Sequence, residues 1–109
     1  MQTYFVKMEG FPFLKIGRTN DLGRRLMTLQ CGNPFPLQII GYIEGDFEKF
    51  FHNNLFKRRV KGEWFFLKDE DLAEINMLLN HIGQEMQYYN PQIDSIDPDF
   101  DEECLSSSP

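Results

Sequence analysis

TYFVKM (residues 3–8), EGFP (9–12) and FLKIG (13–17) open the chain, and their order decides the fold. The first segment is rich in aromatic and β-branched residues, a strand composition. EGFP reads as a turn, because Pro12 fixes φ beside Gly10. In the third segment Phe13, Lys15 and Gly17 alternate with Leu14 and Ile16, the period of a strand. An antiparallel hairpin is expected. Working outward, Thr19, Asn20 and Asp21 supply capping oxygens for a helix to about Gln30, with Leu22, Leu26 and Leu29 as its apolar stripe. A rigid loop, CGNPFP (31–36), leads to a third strand, LQIIGYI (37–43). A helix over 46–57 carries Phe47, Phe50, Phe51, Leu55 and Phe56. After a Lys61-Gly62 turn, EWFFL (63–67) is a short strand. A last helix, 69–86, aligns Leu72, Ile75, Leu79, Ile82 and Met86. The order β-β-α-β-α-β-α predicts an α+β domain: a small central antiparallel or mixed sheet flanked by about three helices.

The 109 residues carry a formal charge of −6, unevenly spread. Residues 1–68 hold all 11 basic residues and 6 acidic ones; residues 69–109 hold 11 acidic and no basic ones. The average argues against nucleic acid, but the distribution says only that the last third binds phosphate poorly. Residues 90–109 combine three prolines, six carboxylates and four serines with one aromatic. They bury too little apolar surface to offset their ordering entropy and are expected to be a disordered acidic tail, open to a protein partner. The folded domain is then 1–89. No run of about 18 apolar residues suggests a membrane span, and the N-terminus does not read as a signal peptide. Cys31 and Cys104 have no metal-ligand spacing. A cytoplasmic protein is the simplest reading.

A core does not explain several polar residues. Arg25 lies on or beside the apolar face of its helix, as a snorkelling or ion-paired side chain or as a guanidinium aimed at a phosphate. Glu48 and His52 share a helix face at i, i+4. One carboxylate with waters suits Mg²⁺ better than zinc, which wants more protein ligands. Tyr4 and Lys15 fall on neighbouring strands, and Lys15 is a cation without compensation between Leu14 and Ile16. Gathered on one face, these groups would suit metal-assisted phosphodiester hydrolysis. The run Lys57-Arg58-Arg59-Val60-Lys61 is either a solvated face or a hold on a phosphate backbone.

At these residues the chain resembles the GIY-YIG endonuclease superfamily, and most of all its short phage and bacterial branch with KIG in the second strand and a closing GEWF. Thr3-Tyr4-Phe5-Val6 stands at the first motif and Lys15-Ile16-Gly17 at the second. Asn20 to Leu26 matches the arginine helix, and Leu29 to Leu37 the LQ-x-x-NP-x-PL loop with Asn33 and Pro34. Glu48-x-x-x-His52-x-x-x-Phe56 and Arg59 to Phe65, with Gly62, Glu63 and Trp64, match the closing signature. The resemblance implies a DNA endonuclease using one Mg²⁺ or Mn²⁺ ion. It implies Tyr4 orienting or deprotonating water, Arg25 on the scissile phosphate, Glu48 on the metal and Gly17 opening the backbone. Lys15 stands where the superfamily has its second tyrosine, and His52 is a further catalytic candidate. Arg18, Arg24, Lys57, Arg58, Arg59 and Lys61 are candidate contacts to the DNA backbone. The alternatives are a nucleic-acid-binding module without catalysis and a regulatory domain acting through its acidic tail.

Overall fold

The computed structural model describes residues 1–89; the predicted tail lies outside them. Five strands form one antiparallel sheet in the order β3-β1-β2-β5-β4. They are β1 (Gln2–Met8), β2 (Phe13–Thr19), β3 (Leu37–Glu44), β4 (Arg59–Lys61) and β5 (Trp64–Phe66). The helices are α1 (Leu22–Cys31), α2 (Glu48–Asn54) and α3 (Leu72–His81). The fold class is therefore as expected, a mixed α/β domain with three helices around an antiparallel sheet.

Strand period sorts the side chains into two layers. Phe5, Leu14, Ile16, Ile43 and Phe65 point to one face, where Phe51 and Leu55 from α2 and its exit meet Ile75 and Leu79 of α3. Phe5 meets Phe51 edge-on at 5.1 Å between centroids. On the other face Tyr4 and Val6 pack under Leu22 and Leu26 of α1. The Asp21 carboxylate accepts from the Arg24 backbone N–H at 3.2 Å and caps that helix.

Three boundaries differ from expectation. Helix α2 stops at Asn54, and Phe56–Arg58 forms a 3₁₀ turn. The cationic run then contributes an additional strand, β4, paired with β5 in a tight hairpin. Gly62 makes that hairpin possible, with φ +57°. The last helix is shorter at both ends: Asp69–Asp71 is a 3₁₀ turn, and α3 ends at His81. Met86 still packs on the core, but from the non-helical segment that follows α3. Beyond α3 the chain returns to the sheet, where Gln87 exchanges two backbone hydrogen bonds of 2.8 Å with Tyr42 on β3.

Candidate active site

The hairpin register sets Tyr4 directly opposite Gly17. With no side chain at Gly17, the Tyr4 ring lies over β2 and reaches the β4–β5 hairpin beyond it. A Cβ on Gly17 would sit 2.3 Å from the Tyr4 Oη and 2.7 Å from Glu63 Oε1. The space a side chain would fill is thus occupied by the tyrosine hydroxyl and a carboxylate. Tyr4 is only 1% exposed, so its hydroxyl needs a protein partner. It donates to Glu63 Oε1 at 3.4 Å. The same oxygen lies 3.4 Å from Lys15 Nζ, which also stands over the Trp64 ring at 5.4 Å. The cation of β2 is therefore compensated after all. Glu63 is held from its backbone, where its carbonyl accepts from the Ile16 N–H at 3.0 Å. Burial, then the charge of Glu63, raises the Tyr4 pKa well above the ordinary phenol range, against an opposing pull from Arg25. At neutral pH Tyr4 is a protonated donor.

Glu48 is the first residue of α2. The start of that helix is tied to β1 by the fully buried Thr3. The Thr3 hydroxyl accepts from the Phe47 N–H and donates to the Gly45 carbonyl, both at 2.8 Å. Arg18 closes over the helix start, with Nη1 at 2.5 Å from Asp46 Oδ2 and Nε at 3.5 Å from Glu48 Oε2. Burial is the main cause raising the Glu48 pKa. The neighbouring Glu63 adds to it by charge and hydrogen bonding, while His52 and Arg18 pull the other way. Two carboxylates thus share one corner of the site. Arg18, Asp46, Glu48, Lys49 and His52 line an open cleft of about 450 Å³ beside it.

His52 Nε2 lies 2.9 Å from the Ile16 carbonyl oxygen and 3.9 Å from Glu48 Oε1. A carbonyl only accepts, so Nε2 carries the hydrogen and is closed to a metal in this arrangement. With its ring edge-on to Phe65 at 4.9 Å, His52 fastens α2 to β2.

Arg25 is exposed, not set in the apolar face of α1, and makes no ion pair among the described residues. Its charge lowers the Tyr4 pKa, against the larger effects of burial and Glu63. Arg24 lies 3.8 Å from Asp21 at the start of its own helix. Arg58 is committed elsewhere: it forks onto Glu74 at 2.9 and 3.0 Å and reaches Asp71 at 3.3 Å, joining the chain after α2 to α3. Arg59 Nε donates to the Gly62 carbonyl at 2.7 Å inside its own hairpin. Lys57 and Lys61 are exposed. In the Asn33-Pro34 loop, Asn33 Oδ1 accepts from the Phe35 N–H at 2.9 Å, and Gln30 ties the loop to Leu37. These two positions shape a turn away from the carboxylates.

Tyr4, Lys15, Gly17, Arg18, Glu48 and His52 are therefore linked around β2 through Glu63 and the Ile16 carbonyl, while Arg25 lies on the exposed side of α1. Glu63, read from the sequence as part of a structural motif, stands at their centre. The signal for it was Lys15: a half-buried ammonium demands an anion. No three His, Cys, Asp or Glu side chains among the described residues form a metal-holding cluster. The donor set is instead two neighbouring carboxylates, one of them held toward its protonated form. Glu48 and Glu63 are the residues that could hold a cation there, each in its ionised form.

Fold and site together define a small mixed α/β domain with a polar cluster gathered beside its second strand. Residues 2–82 match the T5orf172 domain, and the chain belongs to that family, which is related to the GIY-YIG superfamily. Neither the curated proteins nor the solved structures yield a match. Among the described residues no helix is long and apolar enough to cross a membrane.

Proposed function

We propose that the domain hydrolyses phosphodiester bonds in DNA with the help of one divalent ion, Mg²⁺ or Mn²⁺. The observation that carries this reading is the meeting of Tyr4 and Lys15 on one oxygen of Glu63, with Glu48 beside it. Glu48 would hold the ion with Glu63 adjacent, and the ion when bound neutralises phosphate charge and acidifies water. The protein supplies the rest. Tyr4 donates its proton toward Glu63, which leaves the hydroxyl lone pairs free to accept from a water. As that water attacks phosphorus, its proton passes to Tyr4 and the tyrosine proton passes to Glu63, while the opposite P–O ester bond breaks and the departing oxygen takes a proton from solvent water. Lys15 pairs with the same Glu63 oxygen and fixes its position beside the tyrosine. Arg25 is held on a rigid helix and unpaired among the described residues, so its fork is available to the phosphate oxygens as charge builds on them. His52 positions Glu48 by fixing α2 against β2.

Plasmid nicking in Mg²⁺ or Mn²⁺ tests the reading. Glu48→Ala and Arg25→Ala should each reduce the rate by about 100-fold or more, in line with the loss of a transition-state charge contact. Nicking by both variants at the wild-type rate would reject it and point to a contaminant. Metal-independent DNA binding without turnover would favour the binding-module reading instead.

A further inference from the structure

Helix α1 covers only half of its sheet face. The cluster beneath it draws on β1 and β3, and no residue of β2 or β5 belongs to it. On the uncovered half the register places Phe13 opposite Phe66 and Lys15 opposite Trp64. Strand period sets both pairs on the same face as Gly17. From Phe13 the rings continue outward. Phe13 stacks with Phe11 at 6.4 Å, Phe11 meets Phe35 at 4.8 Å, and Phe13 meets Phe66 edge-on at 6.1 Å. Phe11, Phe35 and Phe66 are 36%, 44% and 39% exposed, although each is large and apolar. Lys68 Nζ stands over the Phe66 ring at 5.9 Å, as Lys15 does over Trp64.

We infer that this stripe is a stacking platform for the bases of single-stranded DNA, feeding the strand toward the Tyr4–Glu63 site. Three features favour this occupant. The exposed large side chains of the stripe, Phe11, Phe35 and Phe66, are all aromatic, whereas an apolar protein partner would be served as well by aliphatic side chains. Base–aromatic stacking tolerates any sequence, because every base has a π-face. The flanking charges on the rings are cations, complementary to a phosphate backbone. Asp69, the carboxylate just beyond Lys68, is already paired with Lys7. The stripe is also continuous with the candidate site: successive same-face positions along β2 run Phe13, Lys15, Gly17, each about 6.6 Å apart. An extended strand stacked on Phe13 and Phe66 would thus bring a neighbouring phosphate toward Lys15. A duplex, whose bases are already stacked on one another, could not use the rings.

The inference takes its direction from the nuclease reading, but its test does not depend on cleavage. Binding of the full chain to a labelled oligo-dT is measured by fluorescence anisotropy in EDTA, against a duplex of equal length. Tighter binding to the single strand is expected. Phe11→Ala and Phe66→Ala should each weaken it by about 5- to 100-fold, with little effect on the duplex. Phe66→Trp should restore it, which a merely structural role would not do. Equal affinity for the two DNAs, or alanine variants that retain wild-type affinity, would overturn the platform. Tight single-strand binding by a protein that never nicks DNA would leave the platform standing and remove the nuclease reading.

Discussion

Glu48 carries two opposing demands. Burial and the neighbouring Glu63 raise its pKa, so its ionised form is less favourable in the folded protein than in the unfolded chain. The stabilising contribution belongs to the protonated state. It is fully present below the unfolded pKa and is lost as pH rises through the raised folded pKa. Glu48→Gln should therefore melt a few degrees higher than the wild type at neutral pH, with the gap closing as pH falls through the carboxylate range. Thermal unfolding at several pH values checks this; a lower melting point for the variant at neutral pH would contradict it. A role for ionised Glu48 in cleavage has the reverse pH sense, with activity rising through the same pKa. At this scale the sequence was informative wherever a residue violated the pattern around it. Lys15 between Leu14 and Ile16, and an i, i+4 pair among phenylalanines, both pointed to the polar cluster that the fold gathers around Glu63. Glu63 read equally as a partner for a basic residue or as a solvated charge, and only the hairpin that brings it back over β2 decides for Lys15.

The start of α2 depends on Thr3, which satisfies the Phe47 N–H and the Gly45 carbonyl at once. Thr3→Val keeps the shape but leaves both groups without that partner, in surroundings that are fully buried at Thr3. A loss of about 1–3 kcal/mol is expected, measured by denaturant unfolding, together with slower nicking because Glu48 is the next residue on. Unchanged stability would show that water or a shifted backbone replaces the hydroxyl. Elements with a strong local signature were legible: the β1–β2 hairpin from its alternation, α1 from its cap and leucine stripe. Strand β4 was not, because Arg59 and Lys61 have no strand preference of their own. Their extended conformation comes from pairing with Phe65 and Trp64, a partner that sequence period does not reveal. Helix α3 was overextended because Ile82 and Met86 keep helical spacing beyond it, although Ile82 sits in the capping turn and Met86 reaches the core from the non-helical return segment.

Charge is the property that belongs to the whole molecule. Residues 1–89 carry 11 positive and 11 negative charges, while residues 90–109 add six carboxylates. Deleting 90–109 should strengthen DNA binding at low salt, with the difference fading as ionic strength rises. Identical salt-dependent binding curves for the two lengths would show that the carboxylates do not compete with phosphate. The layer order of the domain was readable from the apolar pattern. Its closure was not, since the contact between Gln87 and β3 joins residues 45 positions apart through backbone atoms alone. That contact sets where the domain can be cut. The family match stops at residue 82, yet a chain ended there would uncover the outer margin of β3 and leave the Tyr42 N–H and carbonyl open to a strand from another molecule. At the opposite margin β4 carries Arg59 and Lys61, exposed like the rest of that strand, which discourage such pairing by repulsion. One border of the sheet is latched and the other charged, so the smallest well-behaved unit extends at least to the latch, five residues past the last one the family profile recognises.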